Sequence, residues 1–222
     1  MNGKMNKRYD LIVFDWDGTV MDSTAVIATS IQSACRDLGL PVPSDEAARH
    51  VIGMGLVEAL RHAVPQAPAA LYEPLAERYR YYFMAQDASI PLYAGAAETV
   101  TELHEAGYRL AVATGKSRKG LDRVLDSSGL RPYFQATRTA DQTFSKPHPA
   151  MLLEIMDELG MPPERVLMVG DTTHDLQMAI NAGVDAVGVT HGAHPEDQLR
   201  ALNPLALVDD FHQLRAWLKA NA

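Results

Sequence analysis

Short runs of consecutive apolar residues recur along the chain, and longer stretches with helical spacing separate them. The runs occupy residues 11–14, 109–113, 166–169 and 184–189. Polar residues hardly interrupt them, which is typical of strands covered on both faces in a parallel sheet. Parallel strands require crossover connections, and the intervening stretches are long enough for helices. The pattern therefore predicts an α/β fold.

Three of these stretches have clear helix signals. Residues 117–128 place apolar side chains at helical spacing before Gly129, residues 149–159 end at Gly160, and residues 96–105 end before Gly107. Glycine is the usual residue just beyond a helix end, so each stretch is predicted to be an amphipathic helix.

The alternation of strands and helices is interrupted between about residues 19 and 90. This stretch has helical periodicity and no convincing strand run, with one apolar stripe along residues 26–38, a shorter one along 57–64 and a third helix predicted at 69–86. We interpret residues 21–91 as an inserted helical unit. Residues 1–20 and 92–222 then form the main domain.

Composition narrows the possible functions. The 222 residues are 47% hydrophobic and carry a formal net charge of -8, so neither a disordered chain nor a general nucleic-acid-binding surface is expected. The single cysteine, Cys35, is predicted to be a buried small residue in a reducing compartment. The early apolar run is too short to span a membrane. We expect a cytoplasmic protein in which residues 1–8 form a loose polar lead-in.

Candidate catalytic residues follow the predicted strands. Asp15 and Asp17 stand at the end of the first run, Thr114 at the end of the second, and Asp171 at the end of the third, with Asp175 one helical turn later. Ligands of open parallel sheets bind at the carboxyl ends of the strands, so these side chains are expected to meet there. Lys146, between two of the strands, is expected at the same edge.

Carboxylates gathered at one site repel each other unless a cation neutralises them. Oxygen ligands of this kind favour a hard divalent cation, and Mg²⁺ is the natural choice. Each residue also has a simpler interpretation. The two early aspartates fit a turn, Lys146 a solvated loop, and Asp171 or Asp175 a helix cap.

Taken together and in this order, the motifs resemble those of the haloacid dehalogenase-like hydrolase superfamily, in its phosphoglycolate phosphatase-like branch. They are Asp15 to Thr19, Thr114 with Gly115 and Lys116, Lys146-Pro147, and Gly170-Asp171 with Asp175. The resemblance covers essentially the whole chain. It implies a Rossmann-like core and a helical cap inserted after the first motif, and the cap would open and close at hinges near Met21 and residues 90–95.

The same resemblance implies roles for the matching residues. Asp15 would be the nucleophile and Asp17 the general acid and base, with Mg²⁺ held by both and by Asp171. Asp175 would be a metal residue, or would orient Lys146 or a metal-bound water. Thr114, Lys146 and the backbone N–H groups of Trp16, Asp17 and Gly115 would hold the phosphoryl group. Substrate contacts are expected from Lys116 and from Arg49, although a solvated helix face also fits Arg49.

The second aspartate bears on the reaction. Dehalogenases of the superfamily lack Asp17, so its presence indicates phosphoryl transfer. The expected substrate is a small phosphate monoester resembling phosphoglycolate; a β-phosphoglucomutase-like phosphomutase and a pyrophosphatase remain alternatives. The branch usually has Asn where Gly115 stands and Ser where Thr172 stands, which leaves the exact substrate open. A receiver domain and a catalytically silent relative are the non-enzymatic alternatives. A receiver domain explains neither the inserted helical unit nor Asp17, and in a silent relative the catalytic positions need not all be filled, as they are here.

Overall fold

Six parallel strands form a single sheet, in the order β3-β2-β1-β4-β5-β6. A computed structural model describes residues 7–222, so most of the predicted lead-in lies outside the described residues. The strands are β1 (Leu11–Phe14), β2 (Arg109–Thr114), β3 (Ala136–Thr139), β4 (Val166–Gly170), β5 (Asp185–Val189) and β6 (Ala206–Val208). The predicted Rossmann-like parallel sheet is confirmed.

Ten α-helices accompany the sheet within residues 7–222. They are α1 (Thr24–Asp37), α2 (Asp45–His50), α3 (Leu56–Ala63), α4 (Tyr72–Met84), α5 (Ala96–Glu105), α6 (Arg118–Ser128), α7 (Ala150–Leu159), α8 (Thr173–Ala182), α9 (Glu196–Arg200) and α10 (Phe211–Asn221). In this part of the chain no helix is both long enough and apolar enough to cross a membrane.

The central strand β1 explains why both faces are covered. Its residues are all buried, and successive side chains point to opposite sides of the sheet. Ile12 and Phe14 belong to an apolar cluster that contains residues of α5, α6 and α10. Leu11 and Val13 belong to a second cluster, with residues of α7, α8 and α9. The continuous apolar runs therefore reflect helices packed on both faces.

The four helices α1 to α4 lie between β1 and α5, where the sequence predicted an inserted helical unit. Their buried side chains, among them Cys35, Leu60 and Leu75, join the apolar cluster on the Phe14 side of the sheet. Helix α2 was not predicted, because Ala48 is its only buried residue and the helix has no apolar stripe. The side chain of Ser44 caps it by accepting a hydrogen bond from the N–H of Ala47.

The chain enters and leaves the inserted unit at neighbouring positions. Met21 forms isolated bridges with Asp17 and with Leu92, and the N–H of Asp22 donates to the carbonyl of Pro91 at 3.0 Å. The two connections thus run side by side at the carboxyl end of β1. The predicted domain boundaries, between residues 20 and 21 and between residues 91 and 92, lie in these two connecting segments. The division into two domains stays a prediction.

Strands β3 and β6 were missed by the sequence analysis. Both lie at the edges of the sheet, and the middle residues of β3, Thr137 and Arg138, are only half-buried. Strand β6 has three residues, of which Val208 alone is buried. Strand β3 carries polar residues, as edge strands often do, and so leaves no continuous apolar run. Strand β6 is apolar but has only three residues, so its run is too short to stand out.

Candidate active site

The strand order brings the predicted catalytic residues together. Because β1 lies between β2 and β4, Asp15 at the end of β1 stands between Thr114 at the end of β2 and Asp171 just after β4. The N–H of Asp15 donates to the carbonyl of Val169 at 2.9 Å, which extends the pairing of β1 with β4 by one residue. All three polar side chains are fully buried. Their convergence follows from the register of the sheet.

A buried lysine neutralises part of the acidic charge. Nζ of Lys146 lies 2.7 Å from Oδ1 of Asp15 and 2.7 Å from Oδ1 of Asp175, and none of these side chains is exposed. Lys146 reaches the site from the segment just before α7. Since a buried charge is costly unless it is paired, this lysine cannot be the solvated loop residue of the simpler interpretation.

Burial and mutual repulsion shift the pKa values of the acidic groups. Burial raises the pKa of Asp15 well above its usual value, although the ammonium of Lys146 acts against that rise. Burial, with the nearby charge of Asp175, raises the pKa of Asp171 to about 7. For Lys146, burial lowers the pKa, but attraction to Asp15 and Asp175 outweighs it and the net shift is upward. The site has more negative charge than its one lysine can neutralise.

The carboxylates of Asp15, Asp171 and Asp175 fit a bound cation. Each offers an oxygen within 4.8 Å of the other two. Oδ2 of Asp15 is buried and has no hydrogen-bond partner among the described residues. Hard divalent cations bind oxygen ligands of this type, and the charge of such an ion would remove the repulsion noted above.

Two hydrogen bonds hold the carboxylate of Asp171, and two glycines leave the space that it occupies. Thr19 Oγ1 donates to its Oδ1 at 2.7 Å, and the N–H of Ala193 donates to its Oδ2 at 2.7 Å. A methyl group at Gly18 or at Gly192 would overlap the Asp171 carboxylate. Only glycine at these positions lets the two loops close around the carboxylate.

Asp175 has a structural role besides its place in the cluster. Its Oδ2 accepts hydrogen bonds from the N–H of Thr172 at 3.1 Å and from Thr172 Oγ1 at 2.7 Å, forming a capping box at the start of α8. Its Oδ1 faces Lys146. Both of its oxygens are therefore engaged, which favours the expectation that Asp175 orients Lys146.

Asp17 and Lys116 form a second pair beside the cluster. Nζ of Lys116 lies 3.0 Å from Oδ1 of Asp17, and Ser23 Oγ donates to the same oxygen at 2.7 Å. The ammonium also stands 4.8 Å from the ring centroid of Phe83 in α4. Lys116 thus connects the candidate acid group with the inserted helices.

Backbone N–H groups converge on the same region. Those of Trp16, Asp17 and Gly115 donate to no acceptor among the described residues, so they are free to bind an anion. The indole of Trp16 is fully buried and packs edge-on against Phe134 at 6.1 Å. Trp16 can therefore reach a ligand only through its backbone. Oγ1 of Thr114 accepts a hydrogen bond from the N–H of Lys116 at 3.2 Å, and its own hydroxyl proton is available.

A turn of the inserted unit, residues 51–55, closes over the site. A methyl group added at Gly115 would lie 2.5 Å from the carbonyl oxygen of Met54 and 2.6 Å from that of Gly53. The N–H of Gly55 donates to Ser145 Oγ at 2.8 Å. The absence of a side chain at Gly115 thus permits contact between this turn and the end of β2.

Arg49 binds Asp45 and Thr24 rather than the carboxylates of the acidic cluster. Its Nε pairs with Asp45 Oδ2 at 2.8 Å, its Nη1 donates to Thr24 Oγ1 at 3.1 Å, and its side chain is 30% exposed. It lines a cavity of about 560 Å³ between α2 and the loop after β5. No polar contact joins Arg49 to Asp15, Asp17 or Asp171 within residues 7–222, so its predicted contact with substrate stays a prediction.

Sequence reasoning missed the loop after β5, which packs against the start of α8 and the end of α2. Nδ1 of His194 accepts the N–H of Thr173 at 3.0 Å, and His174 Nε2 lies 2.7 Å from the carbonyl oxygen of His50 in α2. Burial lowers the pKa of His174, and burial with the nearby His174 lowers that of His194 to about 4. The position of Gly192 just beyond a predicted strand was the one available signal for this loop.

Comparison with known proteins agrees with this geometry. The sequence model of the family described as "Haloacid dehalogenase-like hydrolase" matches residues 12–189. The chain is 37% identical over 210 residues to "Probable phosphatase IndB" of Dickeya dadantii, covering 92% of this chain and 91% of that protein. It is 34% identical over 220 residues to the phosphoglycolate phosphatase of Haemophilus influenzae, covering 95% and 98%.

Solved structures give the same result. A predicted phosphoglycolate phosphatase from Haemophilus somnus superimposes with a TM-score of 0.84 at 28% identity, covering 95% of this chain and 98% of that one. The residues matched by the family model, 12–189, include Asp15, Thr114 and Asp171. The chain therefore belongs to the haloacid dehalogenase-like hydrolases, in their phosphoglycolate phosphatase-like branch, and is a phosphatase.

Proposed function

We propose that this phosphatase depends on Mg²⁺ and hydrolyses a small phosphate monoester through an aspartyl-phosphate intermediate. The observation that carries the proposal is the environment of Asp15: a fully buried carboxylate with one oxygen on Lys146 and the other without a partner, at the centre of an acidic cluster. Residues 21–91 act as a cap on a core made of residues 1–20 and 92–222.

Asp15 is the nucleophile. Its carboxylate attacks phosphorus and forms the acyl phosphate while the bond from phosphorus to the leaving alcohol oxygen breaks, which divides one difficult displacement into two easier ones. Lys146 favours the ionised form of Asp15 and opposes the effect of burial, because the pair is more stable than either charge alone. Thr114 and the free N–H groups of Trp16, Asp17 and Gly115 hold the phosphoryl oxygens.

Asp17 moves the proton. In the first step it gives its proton to the leaving oxygen, and in the second it takes a proton from the water that attacks the acyl phosphate. Phosphate then departs and the Asp15 carboxylate is restored. Ser23 and Lys116, which both contact Asp17 Oδ1, fix the orientation of this carboxyl group.

The carboxylates of Asp15 and Asp171, with the backbone carbonyl of Asp17, are the proposed Mg²⁺ ligands, and Asp175 completes the acidic cluster. A bound Mg²⁺ supplies positive charge that stabilises the phosphoryl oxygens in the transition state. Asp171 is already held by Thr19 and Ala193, so little reorganisation is needed to bind the ion.

A small anionic substrate resembling phosphoglycolate fits this site best. Two supports favour it: the named relative from Haemophilus influenzae, and the ammonium of Lys116 beside the proton donor, where an anionic leaving group would lie. Residues 53–54 of the cap turn lie in close contact with Gly115, so little space remains between the turn and the site. This favours a compact substrate. Lys116 would then contact the substrate while it keeps its contact with Asp17.

The test is phosphate release from phosphoglycolate, pyrophosphate, sugar phosphates and nucleoside monophosphates, with Mg²⁺ or with a chelator. We expect Mg²⁺-dependent release that is highest for phosphoglycolate and is abolished in Asp15→Asn. Asp157→Asn, an exposed substitution on α7, is the matched control. Acid quenching followed by mass spectrometry should recover a phosphorylated peptide containing Asp15. If folded, Mg²⁺-binding protein releases no phosphate from any compound, the proposal fails; release that requires an added sugar bisphosphate would indicate a phosphomutase.

A further inference from the structure

Three histidines from separate segments meet where the inserted helices contact the core. His50 ends α2, His174 lies in the first turn of α8, and His194 lies in the loop after β5. The rings of His50 and His194 stack with centroids 4.9 Å apart, and His174 stands 5.4 Å from the first and 5.1 Å from the second. The phosphatase mechanism above uses none of them.

Two of these histidines bind a single carbonyl group. Nε2 of His174 lies 2.7 Å from the carbonyl oxygen of His50, and Nε2 of His194 lies 3.0 Å from the same atom. A carbonyl oxygen only accepts hydrogen bonds and has two lone pairs, so both Nε2 atoms must carry protons. Nδ1 of His194 accepts the N–H of Thr173, which fixes His194 as the neutral Nε2–H form.

The bound carbonyl lies directly before the turn that covers the site. A methyl group at Gly53 would be 3.9 Å from Oδ2 of Asp15 and 3.3 Å from Oγ1 of Thr172, so this turn lies against the nucleophile. Its far end is tied by the hydrogen bond from Gly55 to Ser145. The two histidines therefore anchor the near end of residues 51–55, and Ser145 anchors the far end.

The donors belong to the same segments as the acidic cluster. His174 directly precedes Asp175, and His194 directly follows Ala193, whose N–H binds Asp171. A displacement of either segment would move a cluster residue and a histidine donor together. The segments that position the carboxylates therefore also carry the histidines that bind the cap turn.

We propose that His174 and His194 are positioning residues that clamp the His50 carbonyl and hold residues 51–55 closed over Asp15. The clamp excludes water during attack by Asp15 and keeps the cap turn against Gly115. This inference rests on the proposed function for its role in turnover, but the clamp itself is testable without any activity.

Side-chain length provides matched variants. The amide nitrogen of glutamine reaches about as far as Nε2 of histidine, so His174→Gln retains a donor for the His50 carbonyl, whereas His174→Asn is too short. In His194→Asn the side-chain oxygen takes the place of Nδ1 and still accepts from Thr173, but the donor to His50 is lost. Each variant therefore removes or keeps one identified hydrogen bond.

The experiment measures amide hydrogen exchange of residues 48–56 by mass spectrometry, with the strand β4 as internal reference. We expect exchange to accelerate about fivefold in His174→Asn and in His194→Asn, and more in the double variant, because a hydrogen bond contributes about that factor. His174→Gln should restore wild-type exchange. Unchanged exchange in the double variant would overturn the clamp, as would equal acceleration in His174→Gln.

Turnover is measured on the same proteins. We expect kcat/KM to fall by about the same factor as exchange rises, with recovery in His174→Gln. Accelerated exchange in a chain that proves to have no phosphatase activity would leave the clamp standing and refute the proposed function. Active enzyme with unaltered exchange would refute the clamp and leave the proposed function intact.

Discussion

Lys146 and Asp15 form an ion pair in which Nζ lies 2.7 Å from Oδ1 and neither side chain has any solvent exposure. The lysine simultaneously contacts Asp175, so one ammonium serves two buried carboxylates. Removing one partner of such a group leaves an uncompensated charge in the interior, which is far more costly than removing both.

Lys146→Met is expected to lower the rate of phosphate release by about 10²–10³-fold, because the phosphoryl group loses a positive neighbour and Asp15 loses the ammonium that favours its ionised form. In Mg²⁺-free buffer the free energy of unfolding should fall by about 3 kcal/mol. Urea denaturation and phosphate release measure the two effects. Lys119→Met, on the exposed face of α6, is the control and should change neither; equal losses in both variants would argue against the buried pair as the cause.

Asp171 should make thermal stability depend on Mg²⁺. Because burial raises its pKa to about 7, the folded protein binds a proton that the unfolded chain has lost, and stability present at low pH is lost as the pH rises through 7. At pH 8 without metal, Asp171→Asn should therefore melt above the wild type. Mg²⁺ at 100 times its Kd should stabilise the wild type by about 2.7 kcal/mol and leave the variant unchanged. Calorimetry with and without Mg²⁺ checks both statements, and a variant that still gains stability from Mg²⁺ would contradict them.

Gly115→Ala is expected to push the cap turn away from the core. The new methyl would lie 2.5–2.6 Å from the backbone oxygens of Met54 and Gly53, neither of which is a flexible side-chain end. We expect KM to rise about tenfold or more and hydrogen exchange in residues 51–55 to become faster. If closing the cap turn becomes less favourable by about 1.4 kcal/mol, its equilibrium constant falls by a factor of ten. Unchanged KM and exchange would mean that the turn accommodates the methyl without opening.

His194 should contribute a pH-dependent part of the stability. Its pKa is about 4 in the folded chain and about 6.5 when unfolded, so its contribution is complete above pH 6.5 and is lost as the pH falls toward 4. Relative to His194→Asn, the wild type should lose about 2–3 kcal/mol of unfolding free energy over that interval. Denaturation of both proteins at several pH values gives the difference, in which the shared contributions of the carboxylates cancel. Parallel curves would exclude a buried neutral His194.

The sequence alone determined the α/β class, the central strands and the positions of the acidic residues. Strand β1 was recognisable because both faces of a central strand are buried, and Asp15, Thr114 and Asp171 were recognisable because they end such strands. The motif order, which the family comparison supports, identified a phosphatase. These features depend on local periodicity and on residue type, both of which a sequence contains.

Only the tertiary structure decided how segments distant in the chain meet. The pairing of Lys146 with Asp15 and Asp175, the grip of His174 and His194 on His50, and the contact of residues 53–54 with Gly115 join residues far apart in sequence. Strand β3, strand β6 and helix α2 were likewise missed, because β3 and α2 carry mostly polar residues and β6 has only three residues. The chemistry of the side chains is local, whereas their pKa values and contacts arise from burial among neighbours that folding alone selects.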